Sequence, residues 1–339
     1  MPVEPLAMPT RAEAERAMAA LHAERLDCQL PFRDLSAYEK GNTGIPYAFT
    51  FESGKPGPHV LITGLSHGNE PGGRDAVATL IDRVRPEAGT LSLALLNLAA
   101  YHAGNGVDPY GTRFIETDFN RVWDDKILDG DTTTIEIARA RQVRPLVAKA
   151  DVLLDIHATP YEAAPFFVLK PGSKGVALAE ALGAPRTRIL FEQGSVHQPT
   201  ITNYNRFSDP DDPAVALSLE TGLFFAKTSA EAGLSTAIRL LRLKGLIGPE
   251  THEDLVTWSE SGPVRRVRVL NPEIVATNDI ALIFRPDSFQ PYPKGAIVAF
   301  DCDRPIAAPF DGAVPLWIKQ KFEADIQAFM WARLEPGAE

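Results

Sequence analysis

Cysteine is nearly absent from the sequence. Its 339 residues hold only Cys28 and Cys302, far apart and in no CxxC arrangement. That excludes a cysteine-built zinc site and suits a reducing compartment. Basic charge is also in deficit. With 34 Lys and Arg against 44 Asp and Glu, the formal net charge is −10. No basic run is available to neutralise phosphates, so no nucleic-acid partner is expected. Long apolar runs are missing too. None approaches the roughly 20 residues that span a bilayer, so no membrane span is expected. The first 26 residues show no signal-peptide core, and Glu4, Glu13, Glu15 and Glu24 argue against a mitochondrial transit peptide. The expected location is cytoplasmic. Internal repeats and low-complexity tracts are lacking as well.

What is present is ordinary for a soluble globular chain: 45% hydrophobic and 23% charged residues. The length allows a full core, with one large domain and a smaller one. Thr10 with Glu13 forms a capping-box pattern ahead of Met18 and Leu21, which predicts a leading surface helix. Apolar runs at 47–51, 60–62, 91–96, 151–156, 166–169, 188–191 and 214–219 predict strands. Helical spacing over 76–84, 135–148 and 174–182 predicts helices between them, the second disturbed by Pro145. A further helix is predicted from a Thr228–Glu231 capping box to about Gly245. This alternation predicts an α/β fold, a mostly parallel sheet flanked by helices. Residues 251–262 are polar and linker-like. Short strands are then predicted at 264–270, 280–284, 296–300 and 312–317, whereas 317–334 is ambiguous between helix and strand. The expected division is a large domain over 1–250, including the helical extension, and a small all-β domain over 262–339.

The stretch that organises the chain is 59–70, HVLITGLSHGNE. Val60, Leu61 and Ile62 form a buried-type strand, Gly64 breaks it, and Pro71-Gly72-Gly73 opens a helix. Between them stand His67 and Glu70. An imidazole and a carboxylate three residues apart on one turn can converge on a single metal ion, and Gly68 lets the backbone bend between them. Other segments must supply the remaining ligands.

His157 ends the run DVLLDIH. A lone histidine there reads as a hydrogen-bonded core residue; alongside His67 and Glu70, the reading as a third metal ligand is the better one. Asp155, two residues earlier, points to the same face and is placed to orient a ligand histidine. Glu220 ends the run AVALSLE, where a carboxylate loses hydration unless it has a partner or a task. A structural salt bridge is one reading; a general base is the sharper one. His67, His157 and Glu220 each follow the carboxyl end of a predicted parallel strand, the edge at which open α/β sheets bind ligands. A long loop over 103–131 carries Arg113 and then Asp118-Phe119-Asn120-Arg121. Loops of that length in compact domains are usually functional. Its arginines suit a substrate carboxylate and an oxyanion, against the alternative of a solvated loop with surface ion pairs.

HGNE, TRFIETDFNR, DIH and the strand-final Glu220 stand in order between Val60 and Gly222. Together they resemble the succinylglutamate desuccinylase and aspartoacylase family, related to the zinc carboxypeptidases. PFDGAV at 309–314 resembles that family's C-terminal β domain. The resemblance implies a zinc carboxypeptidase-like fold and one zinc ion per chain, ligated by His67, Glu70 and His157. It implies that Arg113 polarises the scissile carbonyl, that Asn120 and Arg121 hold the substrate carboxylate, that Glu220 activates water, and that Asp118 braces the arginine loop. DFNR stands where the family usually has DLNR. Relatives acting on acidic amino acids place a further arginine shortly before the catalytic glutamate, and Arg206 is the candidate for that position. No tyrosine follows Tyr292 to supply a substrate contact from the C-terminal domain.

The implied activity is hydrolysis of the amide bond of a small, carboxylate-bearing N-acyl amino acid. The alternatives are a carboxypeptidase trimming peptides and a zinc-binding protein without turnover. In the family, the C-terminal domain crowds the mouth of the site and favours short substrates. The sequence is compatible with a homo-oligomer.

Overall fold

A computed structural model describes residues 9–23, 29–104, 111–191, 199–284, 289–316 and 324–335. In chain order the regular elements are α1 (Arg11–Ala23), β1 (Ala48–Glu52), β2 (His59–Gly64), α2 (Pro71–Arg83), β3 (Thr90–Leu95) and α3 (Leu98–Ala103). There follow α4 (Asp125–Leu128), α5 (Ile135–Lys149), β4 (Val152–Thr159), β5 (Phe166–Leu169), α6 (Lys174–Leu182), β6 (Thr187–Phe191), β7 (Val215–Leu223) and α7 (Lys227–Leu243). The last strands are β8 (Arg265–Val275), β9 (Ile280–Leu282), β10 (Ile297–Asp301), β11 (Arg304–Ala307), β12 (Ala313–Leu316) and β13 (Ile326–Leu334).

The chain forms two compact units. The larger comprises Cys28–Pro160 and Ala164–Val264; the smaller comprises Met1–Asp27, Tyr161–Ala163 and Arg265–Glu339. In the larger unit the strands run β1-β3-β2-β4-β7-β5-β6. The central four, β3, β2, β4 and β7, are parallel. β1 is antiparallel to β3, and the parallel pair β5–β6 runs antiparallel to β7.

Both faces of this sheet are covered, which is why its strands read as continuous apolar runs rather than alternating ones. Val60, Ile62, Leu154, Ile156 and Leu217 pack with Val77 and Leu80 of α2, Leu178 of α6 and Ile238 of α7. Leu61, Ala94 and Leu153, on the other face, pack with Ile137, Val143 and Leu146 of α5. The α/β expectation holds, with the parallel strands at its centre.

The smaller unit has two antiparallel groups, β8-β13-β12 and β11-β10-β9. Val275, Leu282, Val298, Phe329 and Trp331 form its core. β13 resolves part of the ambiguous tract as a strand, because its backbone pairs with β8 and β12 on both sides. β11 was not expected from the sequence.

Several local expectations need correction. The leading helix forms, with Thr10 Oγ1 and backbone N–H donating to Glu13 Oε2 at 2.9 and 2.6 Å, but it is not an extension of the large domain. Ala14 packs against Ala281, Ile297 and Phe300, and Arg11 donates to Asp279 and to the Cys302 carbonyl. The boundary also moves. Residues 251–262 belong to the larger unit, since Leu255 is buried in its core. The Trp258 carbonyl accepts from Arg239 at 2.7 Å, and Glu260 accepts from the Arg186 N–H at 2.6 Å. Thr228 and Glu231 do not cap α7. The helix starts one residue earlier, and the Gln29 side chain accepts from the Lys227 N–H at 2.9 Å. α5 continues through Pro145. β4 and β7 run past His157 and Glu220, because the two strands pair there in register. Cys28 and His197 lie outside the described residues. No helix among the described residues is long and apolar enough to cross a membrane.

Candidate active site

The carboxyl end of β2 delivers the first two groups. Leu65, fully buried, takes a left-handed φ of 59°, uncommon for a branched residue. Its carbonyl accepts from the Asn97 N–H at 2.8 Å. The Glu70 N–H then donates to the His67 carbonyl at 3.2 Å. That turn places His67 Nδ1 2.7 Å from Glu70 Oε1. Gly68 is required here, since a Cβ would collide with the backbone of Ala100 and Tyr101. Pro71 starts α2 directly after Glu70.

β4 lies beside β2, with Gly64 paired to Ile156, so His157 arrives next to this turn. His157 Nδ1 is 3.0 Å from Glu70 Oε2, and its Nε2 is 2.6 Å from Asp155 Oδ2. Asp155, fully buried, also accepts from Thr63 Oγ1 at 2.7 Å and Ser66 Oγ at 2.9 Å. His67 repeats the pattern, with Nε2 3.0 Å from Asp118 Oδ1. In both rings Nε2 therefore faces an aspartate and Nδ1 faces Glu70. With each Nε2–H donated to its aspartate, Nδ1 is the atom each ring has to offer a cation beside Glu70.

The loop before α4 closes the other side. Its start is tied by the Gly68 N–H donating to the Arg113 carbonyl at 3.0 Å. Arg113 Nη1 reaches Glu70 Oε1 at 3.4 Å, and Nε and Nη2 reach Asp118 Oδ2 at 3.3 Å. Asn120 is buried. Its Oδ1 accepts from the Ile201 N–H at 3.0 Å, and its Nδ2 sits 3.2 Å from His157 Nε2. Arg121 donates to the Asn120 carbonyl at 2.7 Å. Among the described residues Arg121 has no salt-bridge partner. Burial, then the neighbouring Arg113 charge, lower its pKa against the pull of Asp118. Such a cation is suited to an incoming anion.

Glu220 pairs in register with His157 across β4 and β7, so both side chains project from the same face. Glu220 Oε2 is buried and has no hydrogen-bond partner among the described residues. Burial, with Glu70 and Asp155 adding to it, pushes this carboxyl up to about 8 against the pull of His157 and Arg113.

Four carboxylates thus crowd two imidazoles. Burial alone would raise the pKa of Glu70, but the two histidines overcome it and hold it far below the carboxylate range. Burial would lower that of His157, but Asp155 and Glu70 drive it well above the usual imidazole value. The field demands positive charge at this point. His67, Glu70 and His157 offer ligand atoms within 4.8 Å of one another, all buried. This donor set, with its Nε2 protons directed away, fits a divalent metal ion.

Residues 56–222 match the profile described as succinylglutamate desuccinylase/aspartoacylase catalytic domain. That stretch is a catalytic domain of this family. Its fold is shared with solved structures of low identity. The succinylglutamate desuccinylase of Vibrio parahaemolyticus is 19% identical with a TM-score of 0.59, covering 83% of this chain and 82% of its own. A succinylglutamate desuccinylase/aspartoacylase from Rhodobacter sphaeroides is 18% identical with a TM-score of 0.60, covering 83% and 86%. An ectoine utilization protein from Ruegeria pomeroyi, in a product-bound structure, is 18% identical with a TM-score of 0.60, covering 84% and 87%. No curated protein matches the chain.

Against the desuccinylase/aspartoacylase pattern, one expected residue is not brought to the cluster. Arg206 donates to Asp212 Oδ2 at 3.0 Å, to Asp151 Oδ1 at 3.3 Å and to the Ala150 carbonyl at 3.2 Å. Ala150 and Asp151 precede β4, so Arg206 sits at the amino ends of the strands, opposite the cluster. The acidic run Asp209, Asp211, Asp212 that follows it supplies the partner that keeps it there. Thr63 and Ser66 were missed. A threonine inside the apolar run of β2 was the available signal, since a buried hydroxyl needs a partner.

Proposed function

We propose that this desuccinylase/aspartoacylase family member is a zinc-dependent hydrolase that cleaves the amide bond of a small N-acyl amino acid. His67, Glu70 and His157 hold one zinc ion per chain. When bound, zinc supplies a Lewis acid and lowers the pKa of water towards about 7. The observation that carries the reading is Glu220, which stands in register with His157 and whose buried Oε2 has no hydrogen-bond partner among the described residues. A structural salt bridge would have consumed that atom, and a protein that only binds zinc has no use for it.

A buried carboxyl with an oxygen left free of hydrogen bonds is suited to moving protons in both directions. Glu220 takes a proton from the attacking water as the carbon–oxygen bond forms. It returns that proton to the amine nitrogen as the carbon–nitrogen bond breaks, giving a carboxylic acid and a free amine. Arg113 donates to the oxyanion that develops on the carbonyl oxygen. Arg121 and Asn120 Nδ2 bind the free carboxylate of the amino-acid portion. Asp118 and Asp155 keep the Nε2 protons of His67 and His157 in place. The reading includes a cytoplasmic location, supported by the scarcity of cysteine, and is compatible with a homo-oligomer.

The test is a comparison of kcat/KM over a panel of N-acyl amino acids and unmodified tetrapeptides, because that ratio reports transition-state discrimination. Hydrolysis of at least one N-acyl amino acid with little peptide cleavage is expected. Efficient peptide trimming with no activity on the panel would make the protein a carboxypeptidase instead.

A further inference from the structure

Glu136, in the first turn of α5, is a carboxylate that the proposed chemistry does not use. Its side chain is fully buried. An acidic residue there ordinarily complements the helix dipole from the surface. This one faces away from its own helix backbone. Oε1 accepts from the Ile115 N–H at 2.7 Å and from Asn97 Nδ2 at 3.4 Å. Oε2 accepts from the Thr117 N–H at 3.1 Å and the Glu116 N–H at 3.3 Å. Three consecutive backbone N–H groups thus converge on one anion, as in an anion-binding nest. No salt bridge to Glu136 is found among the described residues. Glu116 completes a crossed pair, its Oε2 accepting from the Ile135 N–H at 2.6 Å.

Residues 115–117 lie within the span between Arg113 and Asp118. Both ends of that span lie in the site, through Arg113 to Glu70 at 3.4 Å and Asp118 to His67 at 3.0 Å. The side chains of Phe114 and Ile115 are exposed, at 39% and 38%, so apolar burial does not hold the middle of the loop. Glu136 does. We propose that Glu136 is a positioning residue that gathers the N–H groups of residues 115–117 and thereby sets the Arg113 guanidinium and the Asp118 carboxylate at the site. The role requires a carboxylate. Both oxygens of Glu accept, whereas Gln would turn an N–H₂ group toward a backbone donor.

The inference rests on the hydrolase reading only where activity is measured, so its first test needs no substrate. Amide hydrogen exchange of the wild-type protein should be slowed at Ile115, Glu116 and Thr117 by at least about 100-fold relative to a free peptide. In Glu136→Gln that protection should be lost while the strands stay protected. Free exchange at these amides in the wild type would overturn the proposal, whatever the variant does. The second test is a double-mutant cycle. Glu136→Gln should lower kcat/KM by about 10- to 100-fold, mainly through kcat. In an Arg113→Ala background the loss should be clearly smaller, because only the part that acts through Asp118 remains. Equal losses in both backgrounds would mean that Glu136 does not act through Arg113. If no N-acyl amino acid is hydrolysed by the wild type, the functional reading fails and the exchange result alone decides the loop anchor.

Discussion

The two ends of the central strands carry the same residue types and do different things with them. At the amino end, Asp151 and Asp212 pair with Arg206, with side chains 45%, 24% and 29% exposed. Every charge there has a partner and water nearby, so the group is ordinary surface electrostatics. At the carboxyl end, Glu70 and Asp155 are buried, and among the described residues Arg121 has no salt-bridge partner and Glu220 keeps an oxygen without a hydrogen bond. The number of charges does not separate a site from a surface. What separates them is whether the charges are desolvated and left with something still to bind.

The comparison is broken most severely by removing the ligands. Purified protein should contain about one zinc per chain, and the His67→Ala, His157→Ala double variant should contain none by elemental analysis. Equal zinc in that variant would put the ion elsewhere. Next in size is Glu220→Gln, which is nearly isosteric but cannot take a proton. Its kcat should fall about 10²- to 10⁴-fold with zinc retained; near-normal turnover would remove Glu220 from the reaction. The same variant sharpens the contrast in stability. The folded carboxyl is raised from 4.5 to about 8, so the stability it confers is complete below 4.5 and lost as pH rises through about 8. In chelator-treated protein, the Tm advantage of Glu220→Gln should therefore widen between these values and level off above them. A constant difference would contradict the buried, partnerless state of Glu220.

Two arginines give the smaller effects. Arg121→Ala should reduce kcat/KM by about 10- to 100-fold, chiefly through KM, because one charge-assisted contact to the substrate carboxylate is lost. Arg206→Ala should leave kcat/KM unchanged and cost at most about 1 kcal/mol in denaturant titration. A KM effect from Arg206→Ala equal to that from Arg121→Ala would erase the distinction between the two strand ends.

Much of this contrast can be read along the chain. His67, His157 and Glu220 each follow an apolar run, and strand period alone brings them to one edge. Arg206 could not be assigned that way. Its partner Asp212 is six residues away, but Asp151 is 55 away, and only the fold reveals which edge they share. The same holds for the direction of β5, for β13 pairing with β8 and for Gln29 capping α7. Each is settled by partners distant in sequence, where local propensity is silent. Glu136 was hidden for another reason. A glutamate in the first turn of a helix is what capping statistics lead one to expect, and nothing in its neighbours marks it as buried.

The composition of the smaller unit also bears on how the protein is made. α1 leaves the ribosome before the larger unit, while its partners Ala281, Ile297 and Phe300 leave after it. Arg11 and Asp279 are 268 residues apart. At about 5–20 residues per second, the helix waits on the order of tens of seconds for the strands it packs on. During that interval the larger unit, continuous apart from three residues, has nearly everything it needs to fold. The smaller unit can close only after the larger unit has left the ribosome.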